Sequence, residues 1–271
     1  MKKNYLLTFA LILIAFNCFA QNKNNGTFVF SVGPSFPVGN YSIKDITNNS
    51  AGLAKPGETA SLSFYSKRKK QFGFIVAIQA QRNPLNTKAL ENGFSKAQFS
   101  QVVFFSSDGT MPPPPSSYTT YPNWKFDKHA WLAASLLAGC YAEFASRNSS
   151  LSFIFKGMIG GVYASSPKVN GKSITDTATA YYEQNSKSGI GISYLMGGGI
   201  KYQLSKKLSL HGELEYAESN DIKFKKIKTV LFTSHSSPGS PNYSVAQSIV
   251  TANGTQKITS INFRIGIGLR L

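Results

Sequence analysis

The sequence predicts an all-β fold, an eight-stranded antiparallel up-and-down transmembrane β-barrel with long loops on one rim. Three observations carry this expectation. From Ile261 to Leu271 every second residue is large and apolar, while Asn262, Arg264, Gly266, Gly268 and Arg270 lie between them, and a period of two marks a strand whose faces meet different surroundings. After the first 20 residues no stretch is long and apolar enough for a membrane helix, which leaves a closed barrel as the only spanning structure. The connections between alternating segments are short and long in turn.

Residues 1–20 read as a secretory signal peptide: Lys2 and Lys3 supply a positive start, Tyr5 to Phe16 an apolar stretch, and Cys18-Phe19-Ala20 offers small residues at the two positions a signal peptidase reads before Gln21. The apolar run is shorter than the ~20 residues of a spanning helix. Cys18 does not mark a lipoprotein, because Asn17 stands where lipid-modified leaders carry a small residue. Residues 21–271 remain as one β-barrel domain.

Eight segments alternate. Thr27–Val38 places Phe28, Phe30, Val32 and Phe36 on one face, and Thr59–Ser66 sets Ala60, Leu62 and Phe64 against Ser61, Ser63 and Tyr65. Gln71–Arg82 aligns Phe72, Phe74, Val76, Ile78 and Ala80. Ala130–Phe144 aligns Leu132, Leu136, Ala138, Cys140 and Phe144. Leu151–Ala164 presents Phe153, Phe155, Ile159 and Tyr163 opposite Ser152, Lys156 and Gly160; Gly189–Leu204 presents Ile190, Ile192, Tyr194, Met196, Ile200 and Tyr202 opposite glycines, Ser193 and Lys201. Leu208–Ala217 sets Leu210, Leu214 and Tyr216 against Ser209, His211, Glu213 and Glu215, and the closing stretch is the eighth segment. Most exceed the ~5–6 residues usual for strands and reach the ~9–11 of a tilted membrane strand.

Lys67–Lys70, Ala145–Ser150 and Ser205–Lys207 are tight turns, whereas Gly39–Glu58, Asn83–His129, Ser165–Ser188 and Glu218–Lys257 are long. An even strand count with alternating connections is the layout of a membrane barrel whose termini share the short-turn side, the periplasm. The Met111–Pro115 and Ser234–Pro241 stretches read as exposed, partly mobile outer loops. Amphipathic rings favour head-group boundaries. The sequence therefore predicts one aromatic belt at Phe72, Phe144, Phe153 and Tyr202 by the short turns, and another at Phe36, Tyr163 and Tyr216 by the long loops.

A soluble barrel with the apolar face inward is opposed by volume. An eight-stranded interior is just wide enough for side chains, and roughly five or six large apolar residues per strand would overfill it. The small, polar face fits.

Removing the leader takes Lys2 and Lys3 and lowers the formal charge from +17 to +15. The positive residues are scattered and no basic–aromatic recognition motif accompanies them, which argues against nucleic acid; contact with anionic lipid head groups and lipopolysaccharide suits them better. Cys140 is then the only cysteine, so no intrachain disulfide forms.

The leader, the phrase Val32-Gly-Pro-Ser-Phe-Pro-Val38, the glycine-rich sixth segment, Gly212-Glu-Leu-Glu-Tyr216 and the closing Phe263-Arg-Ile-Gly-Ile-Gly-Leu-Arg270 together resemble the outer-membrane β-barrel domain proteins of Gram-negative bacteria, in the OmpA/OmpX-like eight-stranded class. The resemblance spans the mature chain. It implies the outer membrane as location and the barrel-assembly machinery as a partner in biogenesis, although Leu271 stands where the family usually ends in an aromatic residue.

A filled lumen disfavours a wide pore. Glu143, Lys156, Lys201, Glu213, Glu215 and Arg264 face inward on neighbouring strands, and opposite charges held out of water need one another. They predict a structural luminal network in which Glu213 pairs with Lys201 or Arg264. The expected role is a structural or surface-interaction barrel; a narrow channel or transporter for a small solute is the alternative, and a lipid A-modifying enzyme a weaker one. Ser209, His211 and Glu213 suggest a hydrolytic trio, but they project inward, away from the lipid such an enzyme would need. His129 and His235 are isolated, so neither metal nor cofactor is expected. The sequence names no ligand for the loops.

Overall fold

The structure, a computed structural model, describes residues 26–48, 50–67, 71–100, 118–146, 150–175, 178–236 and 243–271. In chain order the elements are β1 (Gly26–Pro37), a 3-10 turn (Gly39–Ser42), β2 (Gly57–Lys67), β3 (Phe72–Pro84), α1 (Thr87–Lys96), β4 (Gln98–Ser100), β5 (Tyr118–Thr120), β6 (Lys125–Phe126), β7 (Ala130–Ala145), β8 (Leu151–Ser165), β9 (Val169–Ile174), β10 (Ala178–Gln184), β11 (Ser188–Gln203), β12 (Leu208–Ser219), β13 (Ile222–Ser236), β14 (Tyr243–Gln256) and β15 (Thr259–Arg270).

Eight strands close into one antiparallel barrel in the order β1-β15-β12-β11-β8-β7-β3-β2. The ring closes where Thr27 meets Arg270 and Phe36 meets Ile261. Every other neighbouring pair is consecutive along the chain among the barrel strands. No helix among the described residues is long and apolar enough to cross a membrane; the crossing is made by strands, whose backbone groups a closed ring can satisfy without water.

Alternation fixes what faces where. Phe74, Ile78, Phe155, Ile159, Ile192, Met196 and Ile265 stand on the outer surface, with Ile265 73% and Phe155 57% exposed, while Ser61, Ser63, Gln79, Ser209 and Asn262 are buried within. A contiguous apolar surface of this size needs a bilayer.

Two interior glycines permit the curvature of so narrow a cylinder. A Cβ on Gly139 would sit 2.0 Å from the Gly157 carbonyl oxygen, and one on Gly160 1.9 Å from that of Leu136.

The lumen is not uniformly polar. Val29, Tyr65, Ile75, Leu137, Tyr141, Ile154, Met158 and Leu195 form an apolar cluster inside it, whereas β12 and β15 contribute buried Ser, His, Glu, Asn and Arg side chains. The expectation of a generally small and polar inner face is corrected on this point: β3, β7 and β8 set an apolar cluster into the interior beside the buried Gln79, Gln81 and Lys156.

The long connections hold a second correction. They are not plain loops: β14, β13, β10, β9 and β6 form a five-stranded sheet, so strands from three of the long connections are woven into one cap. Met111–Pro115 and the 237–241 part of the proline- and serine-rich stretch lie outside the described residues, as do the signal peptide, Arg68–Lys70 and Arg147; Ser234 and His235 belong to β13. The helix α1 is started by Asn86, whose side chain accepts from the Ala89 amide, and it packs Leu90 against Trp124, Phe126, Val169 and Ala180. Its Phe94 ring lies 4.8 Å from Tyr182 and 5.1 Å from Trp124 between centroids.

Candidate functional site

The interior is the candidate site, because it is where the chain concentrates buried charge. Arg264 on β15 stands opposite Glu213 on β12, and Asn262 opposite Glu215. One row crosses Lys156, Gly197 and Glu215 on β8, β11 and β12. With no side chain on Gly197, the lysine spans the intervening strand. The Lys156 ammonium lies 2.7 Å from Glu215 Oε1 and 3.0 Å from Glu213 Oε1, and Arg264 Nη2 lies 3.1 Å from Glu213 Oε2 and also bonds Glu215. Tyr65 donates to Glu213 at 3.0 Å and accepts from Lys156 at 3.2 Å. These side chains are all nearly fully buried. Two cations and two anions balance one another's charge, which is what makes burying them tolerable, although Glu215 Oε2 and Arg264 Nε and Nη1 have no hydrogen-bond partner among the described residues.

A second pair lies apart from the first. Lys201 bonds Glu143 at 2.9 Å and is less buried, bordering a cavity of about 70 Å³ towards the short turns that Thr27, Tyr141, Gln203, Ser209 and His211 also line. Towards the cap the lumen is neutral. Gln81 donates to Asn83 at 2.6 Å, Ser260 donates to Gln81 at 3.1 Å and Gln79 donates to Thr59 at 3.2 Å.

The cap-side mouth is shut by packing. Trp131, Val162 and Ala164 from the barrel meet Tyr41 and Ala54 of the first long connection, Ile222 and Phe224 of β13, and Ile258. Trp131 Nε1 donates to the Gly52 carbonyl at 2.8 Å, and burial pushes the Tyr41 phenol above its ordinary range.

No family model matches this sequence. No curated protein matches it either. Among solved structures the chain is similar to Ail, the attachment invasion locus protein of Yersinia pestis, at 12% identity over 91% of this chain and 97% of that one, with a TM-score of 0.38. It is similar to a major outer membrane protein of Thermus thermophilus at 13% identity over 92% and 100%, TM-score 0.42, and to the outer membrane protease OmpT of Escherichia coli at 8% identity over 92% and 98%, TM-score 0.30. These likenesses do not bear on activity. Ring closure and the apolar outer wall decide the class. The chain is an eight-stranded outer-membrane β-barrel.

Of the six charged residues expected to form the barrel's luminal network, Lys156, Glu213, Glu215 and Arg264 come together, whereas Glu143 and Lys201 make a separate pair. The suggested pairing of Glu213 with Lys201 is corrected: Lys201 stands opposite His211, two positions towards the short turns, and reaches Glu143 on β7 instead. Tyr65 is a further network member that the charge pattern alone does not reveal. It is the one aromatic hydroxyl on the inner face of β2, beside Ser61 and Ser63.

The Ser209, His211 and Glu213 side chains do not form a relay. Ser209 Oγ lies 3.0 Å from His211 Nε2, but both Glu213 oxygens are taken by Lys156, Tyr65 and Arg264, and His211 Nδ1 has no hydrogen-bond partner among the described residues. Without a group on Nδ1 to fix the tautomer and stabilise an imidazolium, the serine lacks an activated base. Among the described residues no three His, Cys, Asp or Glu side chains converge as metal ligands. His129 lies at the end of its connection, and His235 on β13 pairs with Ala178.

On the barrel's outer wall, Phe144 stands opposite Phe153, Phe72 opposite Ala142 and Tyr202 opposite Leu151, close to the short turns. Phe36 and Tyr216 both flank Ile261, and Tyr163 lies opposite Ile190. All seven rings are exposed.

Proposed function

We propose that the protein is a non-enzymatic surface-interaction barrel, with stability in the wall and plug and recognition in the cap. The observation that carries this reading is the buried Lys156–Glu213–Glu215–Arg264 cluster across the lumen, backed by the apolar lid around Trp131 and Phe224. A solute would have to break ion pairs that sit in low dielectric and then unpack the lid. Outer-membrane lipids and lipopolysaccharide surround the wall, the barrel-assembly machinery inserts it, and the cap faces the outside. Planar-bilayer recording of the refolded protein is the test: a silent membrane is expected, and reproducible unitary currents would overturn the closed reading in favour of a small-solute channel.

A further inference from the structure

The cap sheet ends on an unusual edge. The strand β14 runs over 14 residues and is bordered on one side by β13, with no second neighbour among the described residues. Residues 247–253 are exposed, Ile249 at 55% and Val250 at 54%. Natural edge strands are blunted by charge, proline, shortness or a cover. β14 contains no proline and no Asp, Glu, Lys or Arg, so its backbone donors and acceptors stand ready for another strand. The opposite edge, β6, is only 2 residues long.

The surroundings state the chemistry of the occupant. From Ile222 to Gln256 the chain carries Lys223, Lys225, Lys226 and Lys228 and no acidic residue. A bulge between Phe224 and Ile227, with Lys226 in the left-handed region at φ 56° and its amide held by Asn253 Oδ1 at 3.1 Å, shifts the register. Lys223 then faces Thr255 and Lys228 faces Thr251. Positions 249, 251 and 255 share one side of β14, since side chains alternate along a strand. Directly opposed residues project to the same side, so both lysines stand on that side behind short threonines. A strand added at the usual ~4.8 Å spacing would lie within reach of both ammonium groups.

We propose that β14 docks an extended, acid-bearing segment of a partner polypeptide as a sixth strand. The segment places an apolar residue beside Ile249 and acidic residues, four apart, beside Thr251 and Thr255, where Lys228 and Lys223 meet them. Backbone bonds supply the attachment and the lysines the choice of sequence. A second copy of this chain fits worse, because it would bring an equally basic hairpin to the same edge. The inference deepens the surface-interaction reading and depends on it, but not on the state of the lumen.

The test uses the full refolded barrel in detergent and a synthetic nine-residue peptide of alternating threonine and valine with two glutamates four residues apart. At about 1 mM peptide, amide exchange should slow at alternate positions of 247–255. Replacing both glutamates by lysine, or making Lys223→Glu with Lys228→Glu in the protein, should weaken binding at least tenfold. Pairing the lysine peptide with the doubly exchanged protein should restore it. Equal binding of both peptides to the unaltered protein, or no protection of β14, overturns the proposal. Protection that appears without peptide and grows with protein concentration assigns the edge to a second copy and also overturns it. A conducting lumen would leave all of these results unchanged.

Discussion

Arg264 stands directly opposite Glu213 across the β12–β15 ladder, and its Nη2 lies 3.1 Å from Glu213 Oε2 inside the barrel. The carboxylate is shared: its other oxygen holds Lys156 and the Tyr65 hydroxyl. Neutralising it strands cationic partners in a nearly dry interior. Glu213→Gln should cost about 3–5 kcal/mol, seen as a lower midpoint in denaturant unfolding of the refolded protein. Glu58→Gln removes the partner of Arg82 in a solvent-exposed pair and should cost roughly 0–1 kcal/mol. Equal losses at the two sites would contradict a plug.

Depth in the bilayer gives a second contrast. Leu62, Ile78 and Leu136 form one outward row at the middle of β2, β3 and β7, whereas Leu132 lies at the cap end beside Arg82. Ile78→Arg should cost about 2–4 kcal/mol and Leu132→Arg about 0–1 kcal/mol, both read from the unfolding midpoint of protein refolded into lipid vesicles. Ile192 is unsuitable for a midplane probe: its amide bonds the Asn220 side chain at the end of β12, which sets it near the outer rim.

Orientation can be read by labelling. In a Cys140→Ser background, a cysteine at Lys206 in a short turn should resist an impermeant thiol reagent on intact cells. One at Lys55, exposed in the cap, should react. The reverse pattern would invert the topology.

Strand closeness is testable at Gly139. Adding one methyl there sets a carbon 2.0 Å from a backbone oxygen, which no rotamer relieves. Gly139→Ala should destabilise by about 1–3 kcal/mol, while Gly157→Ala, which meets nothing within 4 Å, should leave the melting midpoint near its original value.

The eight barrel strands were legible because their outward residues repeat every second position over long runs, and the wall faces one uniform medium. Two other features were hidden by the same pattern. In Phe74-Ile75-Val76-Ala77-Ile78 both faces are apolar, so the inward Ile75 leaves no polar gap to reveal the apolar cluster in the lumen. In β13 the run Lys223-Phe-Lys-Lys-Ile-Lys228 breaks alternation through its bulge, and the cap strand reads as a charged loop. Pairing within the lumen depends on strand stagger as well as facing. That is why the facing pattern leaves Lys201 and Arg264 both open as partners of Glu213, and only the structure leads Lys201 to Glu143.

The shared cap sheet binds the outer connections to a common fate. Lys172 of the third connection faces Lys125 of the second and Tyr181 of its own hairpin, and Tyr181 in turn faces Phe232 of the fourth. A change that lengthens or reshapes one of these segments must be accepted by the ladders on both sides of it. Where isolated loops could change one at a time, these would have to change in concert, and the face they present should vary as a single unit.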